Sequence, residues 1–123
     1  MQKDFLYVIA SLKARSSEPT APDVVRIAKV NGILPVEVVG FQEYPGRGLG
    51  GLITFPDEQR PRAVLMGTRE FLEQCGLQIP DILEVTCRKW GGEKDVLIVL
   101  AGWDGWVRGV LKFIRVGLKA TVK

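Results

Sequence analysis

Apolar positions change period along this chain, and the changes mark its elements. Between residues 3 and 15, Phe5, Leu6, Val8, Ile9 and Leu12 recur at i, i+1, i+3, i+4 and i+7, one face of a helix. "RSSEPTAP" interrupts it. Pro22 and Asp23 then suit the first turn of a second helix, because proline has no donor to leave orphaned there and an acid favours the positive end. That helix is expected to run to about Val30 and stop near "NG".

From Pro35 the period shortens, and "VEVVGFQEY", rich in β-branched and aromatic residues, predicts a strand. A glycine cluster follows, and "LITF" and "RAVLMG" around the exposed connection "PDEQRP" predict two more antiparallel strands. Thr68 is placed to cap a short helix, "REFLEQC", which Gly76 closes; Pro80 opens another that ends at "WGG". "DVLIVLAGWDGWVRGVLKF" reads as two strands joined at Asp104-Gly105, a pair suited to a tight hairpin turn. The order is ααβββααββ, with a further strand offered by "IRVGLKATVK". Hairpin links between strands and helices arriving in pairs predict an α+β fold with an antiparallel sheet, not strict βαβ alternation.

The glycines in "EYPGRGLGGLITF" raise the first chemical question. Gly46, Gly48 and Gly51 satisfy GxGxxG, but a dinucleotide turn needs a helix directly after it, and here a strand follows. A Walker loop fails too, since Leu52 stands where its lysine belongs. A glycine-rich turn or bulge and a contact with some other ligand both remain open.

Bulk properties narrow the function. The 123 residues suit one domain, taken as 1–123, and 46% hydrophobic with 25% charged residues is an ordinary globular balance. A net charge of +3, with 17 basic and 14 acidic residues interspersed, gives no nucleic-acid stripe. The nearly apolar run Val96 to Trp103 is about half of a membrane span. Near the N-terminus, Asp4 sits where a signal peptide would be basic. Cys75 and Cys87, in separate predicted helices without CxxC spacing, read as core thiols of a reducing compartment. No histidine occurs, which removes Ser-His and Cys-His nucleophile pairs, leaves no metal site and makes an autonomous hydrolase an unfavoured reading. Trp90, Trp103 and Trp106 read as packing against the sheet rather than as a stacking platform.

The order of elements, with "FQEYPGRGLGG", "RAVLMGTREFLEQCGLQI" and "DVLIVLAGWDGWVRGVLKF", resembles the cytoplasmic nucleotide-binding (N) domain of heavy-metal-transporting P-type ATPases, the copper exporters most of all. The resemblance covers about residues 5–113. It implies a six-stranded antiparallel sheet flanked by helices, and a domain that holds ATP, with Mg in the whole pump, for transfer to an aspartate elsewhere. It further implies a monomeric cytoplasmic module of an integral membrane protein whose partners are the phosphorylation and actuator domains of the same pump, with no nucleic acid and no direct membrane contact.

Residue by residue, the family's Pro-Gly-x-Gly motif falls on Pro45, Gly46 and Gly48, glycines that in relatives lie against the nucleotide where a side chain would block approach. The family's Ser-Glu-His-Pro motif falls on "SSEP" ending at Pro19, which puts Glu18 where the adenine-facing histidine belongs. A family glutamate aligns with Lys13, and a family asparagine with Thr68. Arg47, inside the glycine turn, is a secondary candidate for a phosphate contact or a solvated side chain. Losing the aromatic partner of the base implies weaker binding, by on the order of 1 kcal/mol. Lys13 and Glu18 either form an ion pair with exchanged charges or are both solvated at a helix end.

No DKTGT, TGE or CPC segment occurs in the chain, so the resemblance implies an excised or separately encoded domain that cannot hydrolyse ATP through the family's mechanism or move ions. A potassium-pump domain, also without the histidine, is a related reading with a poorer glycine match. An N-domain-like module that has lost ATP and serves as a structural or regulatory contact surface is the alternative from a different class.

Overall fold

The computed structural model describes residues 2–114 and 119–122. Two helices, α1 (Gln2–Arg15) and α2 (Ala21–Val30), precede three strands, β1 (Val39–Tyr44), β2 (Gly48–Ile53) and β3 (Arg62–Gly67). Helices α3 (Arg69–Gln74) and α4 (Asp81–Gly91) follow, and the sheet is completed by β4 (Val96–Trp103), β5 (Trp106–Ile114) and β6 (Lys119–Val122). The six strands lie in sequence order, each antiparallel to its neighbours, so hairpin-type connections build the whole sheet as expected. Asp104 (φ 54°) and Gly105 (φ 81°) make the two-residue turn between β4 and β5.

Helices cover both faces. Phe5, Val8, Ile9 and Leu12 of α1, all buried, pack with Val24 of α2 and with Leu49, Met66, Ala101 and Leu111 of the sheet. On the opposite face Phe71, Leu72, Cys87 and Trp90 pack with Leu100, Val107 and Val110. Adjacent residues such as Leu100 and Ala101 thus enter different cores, the period of two that a sheet covered on both sides requires.

Three expectations need correction. The first strand begins at Val39, not Val36, because α1 captures the preceding segment: the Val36 amide donates to Ser11 Oγ at 2.9 Å and Arg15 donates to the Val38 carbonyl at 2.9 Å. The backbone groups that a strand extension would need are already bonded. Gly48, Gly50 and Gly51 lie inside β2 rather than in the corner, which only Pro45 to Arg47 form. Cys75 is exposed, since it caps α3 while Phe71 and Leu72 take that helix's buried face; Cys87 is a core thiol. Trp90 and Trp103 are buried and Trp106 is half-exposed, as packing predicts.

Candidate functional site

The α1–α2 turn, the β1–β2 turn and the β3–α3 corner meet over β4. They enclose a cleft of about 160 Å³ whose lining includes Lys13, Glu18, Gly46, Arg47, Gly48 and Thr68. All six residues singled out in the sequence therefore share one site. Leu49, Met66, Leu97, Ile98 and Val99 supply its apolar wall. The enclosed volume is below the roughly 300 Å³ at which pockets begin to engulf a ligand, so a bound molecule would lie partly in the open.

Lys13 sits in the last turn of α1, where a cation complements the unbonded carbonyls. Its side chain is only 4% exposed. A buried ammonium is tolerated when its donors are paired, and Nζ donates to Glu18 Oε1 at 2.8 Å and to Thr20 Oγ1 at 2.9 Å, with the Phe113 ring 5.9 Å away. The ion pair between Lys13 and Glu18 is therefore present, and Lys13 is not a solvated residue. Thr20 stands at the N-cap of α2 but gives that helix no side-chain cap bond; its hydroxyl oxygen serves Lys13 instead. Glu18 remains 47% exposed. Ser16, which sequence reasoning missed, donates from Oγ towards Glu18 Oε1 (3.3 Å) and Glu43 Oε2 (3.5 Å), and accepts from the Glu18 amide at 3.0 Å.

Opposite, the glycine turn is fastened to the start of α3. The Thr68 amide donates to the Arg47 carbonyl at 2.9 Å, and Thr68 Oγ1 accepts from the Phe71 amide at 3.2 Å as the N-cap of α3. Arg47 is exposed, donates to the Gln74 side chain and holds its guanidinium 5.4 Å from the Phe71 ring centre. The two glycines differ in kind. Gly46 has φ +73° and open space where a Cβ would stand. A Cβ on Gly48 would fall on the Met66 carbonyl and 2.7 Å from the Phe71 ring, so that glycine is demanded by packing inside the protein. The turn thus offers uncovered backbone at Gly46 next to the exposed cation Arg47, whereas the charge of Lys13 is taken up by Glu18.

Among solved structures, the N-domain of HMA8, a copper-transporting P-type ATPase, superposes with a TM-score of 0.67 over 89% of this chain and 87% of that one, at 21% identity. The chain has the P-type ATPase N-domain fold. Copper-transporting ATPase 2 of Rhizobium meliloti (strain 1021) is 33% identical over 76 residues, a match spanning 62% of this chain and 8% of that protein. No family model matches the chain. The resemblance drawn from the glycine motif and the order of elements thus agrees with both comparisons. The cleft offers an apolar wall, the exposed Arg47 and open backbone at Gly46, while the sequence has no histidine and no cluster of metal-binding side chains occurs among the described residues.

Proposed function

We infer that the chain is the nucleotide-binding domain of a heavy-metal-transporting P-type ATPase, of the copper type, and that it binds ATP in the cleft between the α1–α2 turn and the glycine turn. The observation that carries this reading is the convergence of Lys13, Glu18, Gly46, Arg47, Gly48 and Thr68 on one cleft in an N-domain fold. Gly46 and Arg47 receive the phosphates, the apolar wall receives the base, and the Lys13–Glu18 pair forms the wall beside it. Mg, arriving with the nucleotide in the whole pump, would supply neutralisation of the phosphate charge. Phosphoryl transfer depends largely on alignment and charge neutralisation, so a domain without a nucleophile contributes by delivering the nucleotide to an acceptor aspartate in the phosphorylation domain. In this reading the domain is a monomeric cytoplasmic part of a membrane protein.

Calorimetric titration with MgATP tests it. Saturable binding at submillimolar to millimolar concentration, abolished by Gly46→Asp, is the expected result. Aspartate tolerates a left-handed backbone better than most residues, and the space at Gly46 is open, so that variant keeps the fold while placing a negative charge at the phosphate position. No heat at millimolar ATP contradicts the proposal and favours a contact module that has lost nucleotide. The self-satisfied Lys13–Glu18 pair is compatible with such a module.

A further inference from the structure

We propose that Gln74 is a positioning residue for phosphate recognition, whose neutral amide holds Arg47 at the cleft without cancelling its charge. The inference rests on the nucleotide-binding reading above and concerns a residue outside the cleft lining that acts through one inside it. Both backbone groups of Arg47 are already bonded: its N–H donates to the Tyr44 carbonyl and its carbonyl accepts from the Thr68 amide, each at 2.9 Å. The side chain is fixed at two further points. Nη2 donates to Gln74 Oε1, and the guanidinium lies 5.4 Å from the centre of the Phe71 ring, itself braced by the Tyr44 ring at 5.0 Å. A long, exposed cation is thereby held in one place, and the ordering that a phosphate would otherwise impose on it is complete beforehand.

The chemistry of the holding group is what matters. Arg26, Arg62, Arg69 and Arg88 each pair with a carboxylate. Arg47 pairs with none among the described residues, although α3 carries both Glu70 and Glu73. Glu73 is turned to Arg69 at 3.5 Å, and the α3 side chain that accepts from Arg47 is the uncharged one. A glutamate at position 74 would accept the same bond and cancel the cation. Glutamine takes one of the five guanidinium donors and leaves the charge whole. The other donors of Arg47 have no side-chain or backbone acceptor among the described residues, and a planar guanidinium offers paired donors that match two oxygens of a phosphate.

Titrations of the full chain with MgATP and with adenosine, each followed by amide chemical shifts, test this on the natural sequence and on Gln74→Glu, Gln74→Leu and Arg47→Ala. Gln74→Glu keeps the bond but cancels the charge, and is expected to weaken MgATP about tenfold while leaving adenosine unchanged. Gln74→Leu, which releases the arginine, is expected to weaken MgATP roughly threefold. Added to Arg47→Ala, Gln74→Leu is expected to have no further effect, because it acts through the arginine; a merely structural role would persist without Arg47 and would move adenosine too. The same spectra show whether each variant is folded. MgATP affinity unchanged in folded Gln74→Glu, or unchanged or raised in Gln74→Leu, overturns the proposal and leaves the nucleotide-binding reading intact. Equal losses for MgATP and adenosine do the same. If MgATP does not bind the natural sequence at millimolar concentration, the nucleotide-binding reading fails and this proposal with it.

Discussion

Lys13 and Glu18 are a unit, and removing one leaves the other with a different problem. Glu18→Ala strands a buried ammonium with Thr20 as its one remaining side-chain acceptor, and a loss of roughly 1–3 kcal/mol in urea unfolding is expected, less than for a fully buried pair because Glu18 is half-exposed. Lys13→Met fills the same apolar space without the charge, leaves Glu18 to solvent and is expected to change stability by no more than about 1 kcal/mol. A double-mutant cycle that returns additive effects contradicts the coupling. At this scale the sequence was legible in part. The spacing of Lys13 and Glu18 left an ion pair and two solvated residues equally open, because burial of Lys13 depends on Phe113, a hundred residues on. A shorter separation along the chain likewise hid the packing role of Gly48. Its partners are Met66 and Phe71, and Gly48→Ala is expected to cost about 3 kcal/mol, against about 1 kcal/mol for Gly46→Ala, whose penalty is the left-handed backbone alone.

Between elements, close approach is set by a further glycine. A Cβ at Gly109 of β5 would stand 2.5 Å from the Phe5 ring, so glycine there lets α1 settle onto the sheet. Gly109→Ala is expected to destabilise by roughly 1–3 kcal/mol, and Phe5→Leu in the same chain should recover part of that loss in thermal unfolding. Most of the elements themselves were readable from local signals. The α1 face, the Thr68 cap and the Asp104-Gly105 turn each depend on residues close in sequence. The start of β1 was not readable, because Val36 and Val38 have strand-like side chains but give their backbone groups to Ser11 and Arg15 of α1. A propensity lost to a tertiary hydrogen bond leaves no local trace.

At the scale of the molecule, carboxylates paired with arginine add a pH-dependent contribution to stability on the acid side. The Arg69 side chain bonded to Glu84, and Arg62 bonded to Glu58, hold these carboxyls below their ordinary range. Their contribution is fully present above the ordinary carboxylate value of 4.5 and is lost as pH falls through the lowered values. Unfolding followed by circular dichroism between about pH 5 and pH 2 should therefore show a declining midpoint, and Glu84→Gln should flatten that decline. Whole-molecule geometry also explains what the sequence revealed of the site. Its residues lie in three turns far apart in the chain, and only the family resemblance joined them before the fold did, while the apolar wall from β4 and the bridging Ser16 carried no sequence signal of a site. The account stands on that cleft being where nucleotide binds, and amide chemical shifts recorded during a MgATP titration of the full chain address it most directly. Saturable shifts concentrated at Lys13, Glu18, Gly46, Arg47 and Thr68 are predicted; shifts that map elsewhere on the sheet, or none at millimolar nucleotide, contradict it.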